Sequence, residues 1–367
     1  MGSVAAAVIP GPGQPVEVRE FPEPELEQDS ALLEVELSEV CGTDVHLREG
    51  RLEGVPYPLI PGHVAAGRLA KVRGIIRDVE GWPLAEGDRV TFLDVHGTCN
   101  ECWFCLVARA ATRCPSRRVY GITYGAEDGL SGGWAERMYL KPGTRLIRLA
   151  GVEPETFMAG GCSLPTALHA VERADIQLAD TVLVLGSGPV GLSSVILARM
   201  RGAGKVLCIG APESRLVAAR AVGATATLFI ERATSEQRGD WVLEHTGGRG
   251  ADITIEATGD PQAVAQAMRF TRDAGRVVVV GQYTDHGPVE VNPHTELNRK
   301  HLEVRGTWGS DFSHFYRGVQ LLRDAERARP WTLIATERFG LAEAESALQA
   351  VAERRVTKAL IDPHRGG

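Results

Sequence analysis

The chain has 367 residues, 44% of them apolar and 24% charged, the mix of a soluble globular protein long enough for two domains. Forty basic side chains against 47 acidic ones leave a net charge of −7 with no basic block, which argues against nucleic acid or an anionic membrane as a partner. The longest apolar runs, such as Val4–Ile9 and Val277–Val280, fall far short of the roughly 20 residues of a membrane span, and the opening MGSVAAAVIPGPG lacks the basic and apolar regions of a secretory signal. A soluble, cytoplasmic protein is expected.

From Val4 to about Leu149 the chain reads as short strands broken by Gly and Pro, with strands expected at Ala31–Leu37, Gly67–Val72 and Arg89–Leu93. This predicts a β-rich, barrel-like first domain. Within it stands C99-N-E-C102-W-F-C105, followed after eight residues by Cys114. Seven cysteines, four of them crowded into positions 99–114, make a poor disulfide framework. Four thiolates at this spacing suit a tetrahedral zinc. An iron–sulfur cluster takes the same donors, but the rest of the chain argues for zinc. With all four positions filled by sulfur, Cys99, Cys102, Cys105 and Cys114 predict a structural site.

From Asp180 the pattern alternates. Strands are expected at Thr181–Leu185, Lys205–Ile209, Ala251–Glu256 and Arg276–Val280. Helices are expected at Pro189–Arg201, Glu213–Val222 and Pro261–Phe270. Strands alternating with helices predict a parallel, doubly wound sheet of the Rossmann type, so the fold class is α/β. After about Gly306 two more helical stretches and a last strand, Lys358–Ile361, complete the chain.

Between the strand Thr181–Leu185 and the helix that follows lies G186-S-G188-P189-V190-G191. A GxGxxG in that setting is a dinucleotide loop. Gly186 makes the tight turn, Gly188 lets backbone approach the pyrophosphate, and Gly191 lets helix and strand pack closely. With Pro189 and Val190 they open a helix whose free N–H groups face the phosphates. The acidic residue that usually grips the ribose 2′-hydroxyl is replaced by Gly210, and Arg215 follows as a possible partner for a 2′-phosphate. NAD and NADP both stay open.

Three further segments stand out: C41-G-T43-D44-V-H46, G62-H63-V64 and G161-C162-S-L-P-T166. A catalytic zinc takes three protein ligands and keeps a fourth position open. With the cysteine loop and the nucleotide loop, these segments resemble, in order and over essentially the whole chain, the zinc-containing medium-chain dehydrogenases/reductases, the alcohol and polyol dehydrogenase superfamily. The resemblance implies a discontinuous GroES-like catalytic domain (1–162 and 308–367) around a Rossmann domain (163–307). It implies a zinc-dependent hydride transfer between NAD or NADP and an alcohol/carbonyl pair: a secondary alcohol, polyol or sugar-like hydroxyl.

Position by position it implies that Cys41, His63 and Cys162 bind a catalytic zinc, giving two zinc ions per chain. It makes Asp44 the carboxylate that orients His63, Thr43 the hydroxyl that bonds the reacting alcohol, and His46 the outer end of a proton relay. Thr166 would neighbour the nicotinamide, and Lys358 would reach the pyrophosphate. The partner is then a small alcohol or ketone, and the oligomer a homodimer or homotetramer joined through Arg276–Gly281 and Glu303–Trp308.

The sequence departs from the family pattern at Val64, where Glu is usual after the histidine, at Gly210, and in the eight-residue third cysteine interval. Gly42 stands where some members carry a phosphate-binding Arg. A double-bond reductase of the same fold does not need Cys41, His63 and Cys162; a non-catalytic nucleotide- and zinc-binding member would fit Val64. His96 is read as structural or solvated rather than lining a cleft, and His169 as packing. Trp308 and Tyr57 are candidates for the substrate lining.

Overall fold

The computed structural model describes residues 2–366, and the positions 1 and 367 that bound the expected domains lie outside the described residues. Contacts divide the chain into two compact units, Met1–Cys162 with Asp311–Ala325 and Thr336–Gly367, and Ser163–Ser310 with Glu326–Ala335.

The first unit opens with β1 (Ser3–Val8) and β2 (Glu17–Pro22), an antiparallel pair, and β3 (Ser30–Val40). Then come α1 (Gly42–Glu49), β4 (Ala65–Arg73), β5 (Arg89–Phe92), β6 (Val95–Gly97), the short α2 (Trp103–Leu106), β7 (Arg118–Val119), β8 (Arg137–Leu140), β9 (Leu146–Arg148) and α3 (Pro154–Gly160). β3 runs three residues beyond the expected end at Leu37, antiparallel to β4, and delivers the chain to Cys41. Its alternation is that of a strand with one face in a core: Leu33, Val35 and Leu37 are buried while Glu34 is exposed. Leu33 and Val35 pack with residues such as Val90, Phe92, Tyr120 and Met138.

The second unit begins with α4 (Ser163–Ala174) and β10 (Thr181–Leu185). It continues with α5 (Pro189–Met200), β11 (Lys205–Gly210), α6 (Glu213–Ala221), β12 (Ala226–Phe229), α7 (Ser235–His245), β13 (Ala251–Glu256), α8 (Pro261–Phe270), β14 (Thr271–Val279) and β15 (Glu303–Gly306). β14 begins five residues before the expected Arg276. The six strands lie in the order β12-β11-β10-β13-β14-β15, every pairing parallel. That is the doubly wound Rossmann order, which reverses between β10 and β13 and leaves a crevice at their carboxyl ends. Leu183, Leu207, Val277 and Phe270 belong to its core.

The chain ends with α9 (Phe312–Leu322), α10 (Ala325–Thr332), β16 (Thr336–Phe339), α11 (Ala344–Ala352) and β17 (Lys358–Ile361). There are thus three late helices rather than the expected two. β17 pairs antiparallel with β3, bringing Ala359 opposite Val40. Among the described residues no helix is long and apolar enough to cross a membrane.

Candidate active site

Cys41 is the N-cap of α1, in extended conformation, and the helix presents two faces. Asp44 and Leu47, three apart, are fully buried; Thr43 and His46, also three apart, are half-buried. Asp44 Oδ2 accepts the Cys41 backbone N–H at 2.8 Å, which ties the carboxylate to the start of the helix. Its other oxygen lies 3.8 Å from His63 Nδ1, and neither atom has a hydrogen-bond partner. The opposite ring nitrogen, Nε2, lies 3.6 Å from Cys41 Sγ.

The ligand atoms of Cys41, His63 and Cys162 all fall within 4.8 Å of one another. Two thiols and an imidazole held this close perturb each other strongly. The thiol of Cys41 falls to about 7, chiefly through its hydrogen bond with Cys162, while Cys162 is pushed well above its ordinary value by the same bond and by burial. Burial alone would lower the His63 imidazole, but the Cys41 sulfur and the Asp44 carboxylate outweigh it and hold His63 well above the usual range. This donor set suits a dication: Cys41 and Cys162 would hold it as thiolates and His63 Nε2 as a neutral imidazole, leaving Nδ1–H on the side of the Asp44 oxygen. The residues present fit zinc.

The second cluster also fits. The sulfurs of Cys99, Cys102, Cys105 and Cys114 lie within 4.8 Å of one another. Cys102 and Cys105 are 3.6 Å apart, and Cys99 and Cys114 3.5 Å. Four sulfurs at zinc bonding distance in a tetrahedron stand roughly 3.8 Å apart. Backbone N–H groups of Cys99 and Cys102 point at Cys114 Sγ and Cys99 Sγ, both at 3.3 Å. Hydrogen bonds from the Glu101 and Cys102 backbone lower Cys99 to about 7, whereas desolvation pushes Cys105 up to about 12. All seven cysteines are free of disulfides.

In the second unit Gly186 follows β10 with φ +108°, a left-handed conformation that favours glycine, and a side chain there would meet Ala257 O at 2.6 Å. The loop after β10 therefore abuts the loop after β13, at the reversal of strand order. Gly188 caps α5, with Pro189, Val190 and Gly191 in its first turn, and its free N–H groups suit a pyrophosphate. Gly210 ends β11, buried; Arg215 is buried on α6, and Thr166 is half-buried on α4.

Lys358 is a correction. Its ammonium is buried in the first unit, 2.9 Å from Glu39 Oε1 and within 3.2 Å of the Ala159 and Gly160 carbonyls. An ammonium carries three donors, and these partners use them all, so none is left for a phosphate. Glu39 itself escaped the sequence reading; it lies in the buried last stretch of β3, beyond a register shift between Val35 and Leu37. Burial lowers His96, which bonds the Tyr124 hydroxyl at 2.6 Å and the Pro142 carbonyl at 3.0 Å, a structural arrangement. Trp308 stacks on Tyr283 and bonds its carbonyl, and His169 bonds the Gly309 carbonyl at 2.8 Å.

Two family models match the chain: alcohol dehydrogenase GroES-like domain over residues 27–150 and zinc-binding dehydrogenase over 189–324. Among curated proteins, a 5-exo-hydroxycamphor dehydrogenase of Pseudomonas putida is 33% identical over 335 residues, covering 90% of this chain and 91% of its own. Among solved structures, an alcohol dehydrogenase from Thermotoga maritima superimposes with a TM-score of 0.92 at 33% identity, covering 99% of this chain and all of its own. A Sinorhizobium meliloti protein assigned as a zinc-binding dehydrogenase, solved with NADP, gives 0.85 at 27% identity over 99% of this chain and 100% of its own.

Proposed function

The chain belongs to the zinc-containing medium-chain dehydrogenases/reductases and is an NAD(P)-dependent, zinc-dependent alcohol/polyol oxidoreductase; on that premise we propose that Cys41, His63 and Cys162 hold its catalytic zinc and that it oxidises a secondary alcohol. Supporting the reading is the convergence of these three donors within 4.8 Å, with Cys41 at the N-cap of the helix that also carries Thr43 and His46. A relative named for hydroxycamphor, whose 5-hydroxyl is a secondary alcohol, favours that substrate class. Overall, a secondary alcohol and NAD(P)+ give a ketone, NAD(P)H and a proton.

Zinc bound there supplies a Lewis acid that stabilises negative charge on the substrate oxygen at neutral pH, and the nucleotide supplies the hydride acceptor. The chain's own residues do the rest. Thr43 Oγ1 accepts the hydrogen bond of the alcohol's hydroxyl and, as it takes that proton, releases its own through the nicotinamide ribose to His46, which hands a proton to solvent. Asp44 fixes the ring of His63 so that Nε2 stays the ligand atom. Gly186 to Gly191 bind the pyrophosphate, Thr166 neighbours the nicotinamide, and Gly210 with Arg215 bounds the adenosine ribose. Cys99, Cys102, Cys105 and Cys114 hold a second zinc, with no position open for substrate.

In this reading the unit with both cysteine sets is catalytic and the other binds the nucleotide. Seven free thiols favour a reducing, cytoplasmic compartment. The test is zinc per chain together with turnover. Wild type should hold two zinc ions and reduce NAD(P)+ with secondary alcohols; Cys41→Ser should hold one and lose turnover while keeping nucleotide binding. A wild-type chain with a single zinc would overturn the proposal.

A further inference from the structure

Behind the three ligands lies a buried ion pair whose contacts reach every ligand-bearing segment. Glu39 is 2% exposed and Lys358 1%, with Oε1 and Nζ 2.9 Å apart. Glu39 Oε2 accepts the backbone N–H of Cys162 at 2.7 Å. The Glu39 N–H donates to Val64 O at 3.0 Å, one residue from His63, and Cys41 lies two residues further along the chain. Trp134 Nε1 holds the Glu39 carbonyl at 3.1 Å. Lys358 reaches the end of α3, the segment that delivers Cys162.

Room for this carboxylate is provided by Gly161. It has φ +48°, and a Cβ there would stand 1.9 Å from Glu39 Oε2. A buried ion pair is weak as a source of stability, because desolvation of both charges offsets their attraction. Its placement calls for another role.

Residue 64 bears on that role. Ser38 pairs with Ala65, so Glu39 stands across from Val64, and side chains of cross-strand partners share a face. The site therefore has an acidic side chain at residue 39 rather than at the valine that follows the ligand histidine.

We propose that Glu39, anchored by Lys358, is a positioning residue for the metal site: it fixes the backbone of Cys162 and sets the electron donation of that sulfur through a negative charge beside it. This rests on the assignment of Cys41, His63 and Cys162 as ligands. The carboxylate makes no step of its own; it acts through Cys162. Partners of this kind, one shell out from a metal, typically change metal affinity 10–100-fold when removed.

The experiment uses the full-length protein loaded with zinc, and separately with Co(II), as wild type, Glu39→Gln and the double variant Glu39→Gln/Lys358→Met. Zinc content and chelator competition give affinity at each site; the thiolate-to-Co(II) charge-transfer and d–d bands report the ligand field. Glu39→Gln should retain the four-cysteine zinc, weaken the second site about 10–100-fold and shift the charge-transfer band. The double variant leaves no buried unpaired charge, so it should melt near wild type yet keep the weakened second site. It carries the test should Glu39→Gln not fold.

Either variant binding the second metal with wild-type affinity and an unshifted band would overturn the proposal and leave the pair a packing feature. A wild-type protein that binds one metal only would instead overturn the ligand assignment, and the proposal with it.

Discussion

Thr43 and His46 show how much a single residue can be asked to do. Both project from the half-buried face of α1, while Asp44 and Leu47 anchor the opposite face in the core. Thr43→Val keeps the volume and the β-branch but removes the hydroxyl to which the proposed mechanism assigns the alcohol's proton. Steady-state kinetics should show kcat falling about 100-fold or more, with zinc content and the Kd for NAD(P)H, measured by fluorescence titration, unchanged. Loss of zinc in this variant would mean that Thr43 supports the metal site instead. At this scale the four-cysteine cluster was legible because its spacing is itself chemical information, whereas Cys41, His63 and Cys162 stood out only through the family resemblance; the fold brings each set within 4.8 Å. Lys358 and Glu39 were not legible. Their pairing joins β3 to β17 across more than 300 positions of sequence, and it buries two charges that sequence alone places at the surface. Strand parity gave no signal either, because the register of β3 shifts between Val35 and Leu37 and every residue from Leu37 to Val40 is buried.

Among the elements, the turn from β10 into α5 has the least freedom. A Cβ on Gly191 would lie 1.9 Å from Gly186 O, a backbone atom that no rotamer change can move aside. Gly191→Ala should therefore lift α5 off the loop and disturb the N–H groups that the proposed function assigns to the pyrophosphate. We expect the KM for nucleotide to rise about tenfold or more, and stability to fall by roughly 1–3 kcal/mol, the usual cost of overpacking. Calorimetry and nucleotide kinetics check the two effects separately; an unchanged melting temperature would show that the loop relaxes freely. Elements with strong local signals, β10, α5, β11, α6, β13 and α8, were readable because apolar period and glycine punctuation coincide there, whereas β12 and α7 between them were missed. The ends of β14 and the third late helix were not legible either. α10 carries Pro330 within it and is polar over much of its length, so its helical signal is weak. Its burial comes from a tertiary contact, the bond from Trp331 Nε1 to Ser193 Oγ at 3.1 Å, which places Glu326–Ala335 in the nucleotide unit.

For the whole molecule, the open question is what meets the free edge of the six-stranded sheet. β15 is bonded on one side to β14 and ends the sheet order, and Val304 at its centre is 43% exposed. An unpaired strand edge is a template for another strand, and proteins either blunt it or use it. Four residues is short, and Glu303 and Arg305 flank the valine, so the edge suits a specific partner better than indiscriminate stacking. We predict a second copy as that partner: related by a two-fold axis it would present the same edge in the antiparallel sense and continue the sheet through both subunits. Val304→Lys then places like charges near one another across the axis, where cross-strand repulsion is strongest. Light scattering should then show an oligomeric wild type whose mass falls by half in the variant, while zinc content and circular dichroism stay as they were; a monomeric wild type would overturn the prediction. An unchanged mass, with the lysine accommodated, would move the subunit contact away from β15 and leave this edge to solvent.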